Sequence, residues 1–217
     1  MEIIRHKSST EIVDSGTMGR IRRTNWLITN WYRPQCYYDS GDWRATWEMD
    51  GGGALMNQGI HGVDLISWMM GGIESVDALC KTQVWDIDVE DTAVVRVKYK
   101  NGAIGVIECT TCAYPGLDNI FSIHGSEGSI SFGNDGFLIW GLKDKSIKMP
   151  ETQGTMGGMN CKYNIAVNTG HDYQVEDMAR AVLENRNPAI TGEEAMESVK
   201  IILKIYQSSR EGKEIKI

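Results

Sequence analysis

Asn101-Gly102 sits between two alternating runs, 92–99 and 103–111. Asn-Gly is the strongest short hairpin signal, because both residues tolerate the positive φ that a two-residue turn needs. In the first run Ala93, Val95 and Val97 alternate with Thr92, Arg96 and Lys98. One face of that hairpin is therefore core and the other polar, free to meet solvent or another subunit. Further strand-like stretches lie at 20–31, 73–85, 119–124, 128–132 and 137–141, several separated by glycine-containing turns. Consecutive strands joined by tight turns predict a mainly antiparallel sheet. Helical spacing is read at 2–15, 54–70 and 171–184, the last carrying Val175, Met178, Val182 and Leu183. A final helix starts after Thr191, with Glu194 completing a capping box. Its stripe of Ala195, Val199, Leu203 and Tyr206 is expected to pack inward. Residues 150–170 read as a loop, and 214–217 as an edge strand. Without a repeat, a low-complexity tract or a linker, the 217 residues read as one α+β domain.

The net charge of −7 makes nucleic acid and anionic membrane poor partners. No apolar run approaches the ~20 residues that span a bilayer. The first residues, Met-Glu-Ile-Ile-Arg-His-Lys, lack the apolar core of a signal peptide, so a cytoplasmic location is the default expectation. Five scattered cysteines argue against a disulfide framework. Cys109 and Cys112 form a C-x-x-C inside a strand-like segment, where an odd separation sends the side chains to opposite faces; they are read as structural. The four histidines are scattered and no metal site is expected.

The chemistry is concentrated in Gly51-Gly52-Gly53-Ala54-Leu55-Met56-Asn57-Gln58-Gly59-Ile60-His61-Gly62-Val63-Asp64. Three glycines lead into an apolar helix. Spacings of four and three stack Asn57, His61 and Asp64 on one edge, beside an apolar stripe of Val63, Ile66 and Met70. The pattern suits either polar groups held at a cleft wall or a tight entry turn before a structural helix. Asp64 could orient the His61 ring or make a helix–loop hydrogen bond. Upstream, residues 32–50 form an irregular segment rich in Tyr, Trp and Arg. Such a loop either packs on the next helix or binds polar-ring ligands through stacking and forked hydrogen bonds. Tyr32, Arg44 and Trp47 are the candidate substrate contacts.

The string G-G-G-A-L-M-N-Q-G-I-H-G-V-D-L resembles the substrate-domain signature of the glucose–fructose oxidoreductase / inositol dehydrogenase / MocA (Gfo/Idh/MocA) family, G-G-G-x-L-x-D-x-G-x-H-x-x-D. The flanking I-V-D-S-G-T-M-G-R-I-R-R-T-N-W, W-Y-R-P-Q-C-Y-Y-D-S-G-D-W-R, H-G-S-E-G-S-I and P-A-I-T-G-E-E-A-M-E-S-V-K-I-I-L-K-I-Y-Q-S-S-R-E-G-K are similar to the family as well. The resemblance implies an open-faced sheet with helices on one face and association of copies through the open face. It implies a substrate domain of an NAD- or NADP-dependent oxidoreductase acting on the CH–OH group of a sugar or polyol. His61 falls at the family's proton-transfer His. Asn57 stands where the pattern has Asp, and an amide can hydrogen-bond but cannot act as a base. The G-x-G-x-x-G of a nucleotide-binding half and the family's E-K-P motif do not occur in the 217 residues. The chain is thus expected to lack the dinucleotide-binding domain, to bind no cofactor tightly alone, and to be inactive by itself. The alternative is a non-catalytic assembly or carbohydrate-binding module derived from such a dehydrogenase.

Overall fold

The computed structural model describes residues 12–134, 136–149 and 171–217. Most of the helix expected at 2–15 and the loop expected at 150–170 lie outside the described residues. Eight strands form one sheet: β1 (Ile21–Ile28), β2 (Ile73–Lys81), β3 (Thr92–Tyr99), β4 (Ile104–Thr110), β5 (Ile120–Gly125), β6 (Gly128–Gly133), β7 (Gly136–Leu142) and β8 (Ile215–Lys216). Their order is β7-β6-β5-β1-β4-β3-β2-β8. The β1–β4 pair is parallel and every other pair antiparallel. Residues 12–14 are helical, and the helices that follow include α1 (Gln35–Tyr38), α2 (Ile60–Met69), α3 (His171–Glu184) and α4 (Gly192–Glu211).

Register carries the core across the sheet. Phe132, Phe121, Trp26, Ile107, Val95 and Ala78 are successive cross-strand partners, and all are buried. Trp26 stacks against Phe121 at 4.3 Å between centroids and meets Phe132 edge-on at 5.6 Å. The next row on the other face runs Leu27, Glu108, Val94 and Leu79. There Leu79 and Ile104 are 64% and 59% exposed, and Arg96 pairs with Asp77. The sheet is therefore covered on one face and open on the other.

Helix α2 lies on the covered face. Val63, Ile66 and Met70 are buried, as its spacing predicts. A side chain at Gly62 would meet Ile28, so this glycine lets α2 approach β1 closely. The turn before it departs from the α-helix expected at 54–70. Leu55–Gly59 is π-helical, with five residues in the widened turn.

Helix α4 begins with the expected capping box at Thr191 and Glu194. Its buried stripe shares Tyr206 with the expected one and otherwise differs. Ser198, Ile201, Ile202, Ile205 and Tyr206 face inward, whereas Ala195 and Leu203 are exposed. The helix is rotated by roughly a quarter-turn from the expected stripe. Three isoleucines occupy the buried face, and two serines beside them serve the sheet. Ser208 Oγ accepts from the Ala78 N–H at 3.0 Å and Ser209 Oγ from the Cys80 N–H at 2.8 Å, serving β2 where β8 no longer pairs with it. Strand β4 ends at Thr110, so Cys112 lies in the following bend and not on the strand's opposite face. Cys109 and Cys112 are both unbridged.

Candidate functional site

The triple glycine is held by one residue. Glu90 is buried just before β3, and its carboxylate accepts the Gly53 N–H at 3.0 Å and the Leu55 N–H at 2.8 Å. Its backbone carbonyl accepts the Ala54 N–H at 2.8 Å. Tyr206 on α4 donates its hydroxyl to the same carboxylate at 2.9 Å. Three consecutive amides of the turn therefore end on residue 90. The glycines are the steric complement of this clasp. A Cβ at Gly53 would collide with the Glu90 carbonyl, and one at Gly52 with the Tyr206 hydroxyl. Gly51 adopts φ 74°, in the left-handed region. Burial pushes the Glu90 carboxyl above its ordinary range despite the donors around it. Burial, then the Glu90 charge, pushes the Tyr206 phenol up as well.

The clasp fixes the start of the helical segment that presents the candidate polar edge. Asn57, His61 and Asp64 are all exposed, while Leu55, Val63, Leu65 and Ile66 beside them are buried. Asn57 Nδ2 donates to Asp50 Oδ1 at 3.3 Å, and Gln58 Nε2 donates to Asn57 Oδ1 at 2.6 Å. Asp64 accepts from Ser198 Oγ on α4, so its described hydrogen bond ties two helices together instead of orienting His61.

A narrow cleft beside Asn57 is lined by Arg33, Tyr37, Tyr38, Asp50, Gln58 and Thr111. Arg44 adjoins it, donating from Nη1 to the Tyr37 hydroxyl at 2.8 Å. Tyr38 meets the Thr111 hydroxyl at 2.9 Å, and burial pushes its phenol up to about 12. Trp47 packs edge-on against Tyr206 at 5.1 Å and donates to the Asp88 carbonyl at 2.9 Å, which places it behind the clasp. Tyr32 packs between Trp85 and Tyr114, apart from the cleft lining. Of the residues expected from sequence, the structure thus brings Asn57 and Arg44 to one cleft. It leaves His61 exposed further along the helix and puts Trp47 and Asp64 on structural contacts.

Arg33, Tyr37, Asp50 and Glu90 were not legible as site residues. Arg33 and Tyr37 share an i, i+4 spacing within the aromatic segment, which was an available signal. Glu90 offered none beyond an acidic pair abutting a strand. Among the described residues no three His, Cys, Asp or Glu come together as a metal site, and no helix is long and apolar enough to cross a membrane. A larger groove of about 530 Å³ runs between α3 and Pro188–Ile190, without the glycine turn or the histidine.

The sequence is 24% identical over 172 residues to myo-inositol 2-dehydrogenase of Thermotoga maritima, covering 76% of this chain and 49% of that protein. It is 29% identical over 115 residues to levoglucosan dehydrogenase of Pseudarthrobacter phenanthrenivorans, covering 42% of this chain and 29% of that protein. The fold matches the WlbA dehydrogenase of Bordetella pertussis, solved in complex with NADH and UDP-GlcNAcA. The TM-score is 0.81 at 29% identity, over 97% of this chain and 59% of that one. The chain therefore spans half or less of the curated relatives' length. Residues 6–131 match the GFO/IDH/MocA C-terminal domain, and the chain belongs to that family.

Proposed function

We propose that this chain is the substrate-binding domain of a nicotinamide-dependent oxidoreductase acting on the CH–OH group of a sugar or polyol. The observation that carries the reading is the exposed edge of Asn57 and His61 on a helical segment whose start a buried clasp fixes, with Asn57 beside a polar cleft. The names of the relatives, an inositol and a levoglucosan dehydrogenase, support the substrate class. His61 would take the substrate hydroxyl's proton, since a neutral imidazole nitrogen can accept one. Asn57 would orient the same hydroxyl by hydrogen bonding. Arg44 would hold the ring's polar edge, while Trp47, Tyr32 and Asp64 support the walls.

The nicotinamide cofactor supplies the hydride acceptor or donor. The described residues do not fit its pyrophosphate: the amides of the glycine turn, the obvious phosphate cradle, already end on Glu90. A second reading is a sugar-binding or assembly module derived from such a dehydrogenase. The open sheet face, with Leu79, Val94 and Ile104 exposed, would meet a second copy of the chain.

The test is titration of the chain with levoglucosan, myo-inositol and acidic sugars, followed by the NMR resonances of the His61 ring and the Asn57 amide. Both should shift saturably with at least one sugar; no shift at either position with any of them refutes the site. In a protein joining this chain to a nucleotide-binding domain, His61→Ala should lower kcat by roughly 10²–10⁴. A loss below about threefold would favour the module reading.

A further inference from the structure

The Asn57 side chain is engaged at both ends. Its Nδ2 donates to Asp50 Oδ1 at 3.3 Å, and its Oδ1 accepts from Gln58 Nε2 at 2.6 Å. An amide can turn either end toward a neighbour, and Gln58 has the same freedom. A carboxylate can only accept. Asp50 is therefore the member of this row that cannot exchange acceptor for donor. It sets the direction of Asn57 and, through Asn57, of Gln58.

Asp50 is itself held in place. Its Oδ2 accepts from the Ala45 N–H at 3.0 Å. The Thr46 carbonyl accepts the Asp50 N–H at 3.0 Å and the Gly51 N–H at 3.1 Å. Ala45 is buried and adopts φ 54°, in the left-handed region that disfavours a residue with a Cβ. The loop accepts that strain at the residue whose N–H meets the Asp50 carboxylate. Among the described residues Asp50 is in no ion pair, so its charge is not spent on a cation. The Asn57 backbone is anchored separately, its N–H donating to the Gly53 carbonyl at 3.0 Å. The cleft among these side chains holds about 10 Å³, room for about one water. A sugar therefore meets Asn57 from the solvent side, and Asp50 acts on the amide from the other.

This arrangement accounts for the amide at position 57, where the family pattern has Asp. A carboxylate there would face the Asp50 carboxylate, and two such groups in contact cannot both stay ionised at little cost. Asp50 and Asn57 are complementary as donor and acceptor, whereas two carboxylates are not. We infer that Asp50 is a positioning residue of the site: it holds the Asn57 amide in one orientation and so fixes where its remaining N–H and lone pair meet the substrate hydroxyls. The inference rests on the reading of Asn57 and His61 as a sugar site.

The test uses the full chain with levoglucosan and myo-inositol as probes. Affinity is read from the His61 ring resonances, and amide orientation from the two Asn57 Nδ2 hydrogens. Asp50→Asn keeps an oxygen for the Ala45 amide but is no longer an acceptor only. It should shift both Asn57 hydrogens in the ligand-free chain and weaken the better sugar about three- to tenfold. In an Asn57→Ala background the same change should alter affinity less than about 1.5-fold, which a general structural loss would not reproduce. Asn57→Asp should weaken binding as well, and adding Asp50→Asn to it should recover part of that loss. Melting temperatures show that each variant folds, and Asn57→Asp, at an exposed position, probes the pair without altering the loop. Equal factors for Asp50→Asn in both backgrounds, or full affinity in Asn57→Asp, overturn the inference and leave the sugar site standing. Unmoved Asn57 hydrogens in the Asp50→Asn chain overturn it whatever the sugars do. A His61 ring that responds to neither sugar in the wild-type chain overturns the sugar site, and the positioning role with it.

Discussion

Removing the Glu90 carboxylate should destabilise the chain more than any single change at an exposed candidate residue. Glu90→Ala strips the acceptor from the Gly53 and Leu55 amides and from the Tyr206 hydroxyl. All three residues are buried, and an unmet buried donor costs about 1–3 kcal/mol. Three donors give about 3–9 kcal/mol, of which water entering from the Gly51 side would recover part; about 3–6 kcal/mol is expected, against a total of about 5–15 kcal/mol for a typical domain. Glu90→Gln keeps one acceptor oxygen and turns an amide toward the other donors, so about 1–3 kcal/mol is expected. Urea unfolding followed by tryptophan fluorescence measures both. A cycle of Glu90→Gln with Tyr206→Phe should show coupling of about 1 kcal/mol or more, because the two side chains share a bond. The pH dependence has a fixed sign. The folded Glu90 carboxyl lies above the ordinary 4.5, so the folded state holds that proton more tightly than the unfolded chain. Its contribution is fully present below pH 4.5 and is lost as pH rises through the folded value. Wild type should lose stability over that rise and Glu90→Gln should not. A Gln variant within about 0.5 kcal/mol of wild type, or additivity within the same margin, refutes the clasp.

Gly53→Ala should cost about 1–3 kcal/mol, since its Cβ meets the rigid Glu90 carbonyl; the same urea assay checks it. Gly51→Ala meets open space and pays only for φ 74°, so it should cost less. Iodoacetamide at pH 8 should label exposed Cys36 and spare Cys80 and Cys109, because burial pushes the Cys80 thiol up to about 12 and Cys109 higher still; peptide mass spectrometry reads this. Asp91 behaves oppositely to Glu90: burial raises its carboxyl, but the N–H groups of Val84, Gln83 and Trp85 outweigh that and hold it below the ordinary 3.8. Its contribution is present above 3.8 and lost as pH falls through the folded value, so Asp91→Asn should flatten the acid limb of a stability–pH curve.

What could be read from sequence was what is local or periodic. Asn101-Gly102 and the alternation of Ala93, Val95 and Val97 locate β3 and β4 to within a residue, since turn chemistry and a period of two suffice. The capping box at Thr191 is a three-residue pattern and needs nothing else. The α4 stripe was only partly legible: Ile201, Ile202 and Ile205 mark its inward face in sequence, while the serines do not. Its inward face carries Ser198, Ser208 and Ser209, and whether a serine faces inward depends on Asp64 and on unpaired amides of β2, distant in sequence. The π turn at Leu55–Gly59 and the clasp share that dependence. Residue 90 meets residues 53–55 across more than thirty positions without periodicity.

The same long-range pairing explains why the candidate edge can be both exposed and fixed. Glu90 and Asp91 stand together at the start of β3, the strand whose pattern is clearest. Glu90 holds the amides of the glycine turn, and Asp91 holds those of Gln83, Val84 and Trp85. Trp85 in turn packs on Tyr32, and Trp47 reaches back to Tyr206 and Asp88. Both the glycine turn and the aromatic segment are therefore anchored to one strand start. His61 and Asn57 need not be buried to be positioned; their backbone is immobilised from beneath while their side chains remain available. This arrangement separates two kinds of variant. Changes at Glu90 or Gly53 should alter stability and site geometry together, whereas changes at His61 or Asn57 should alter chemistry on an intact scaffold.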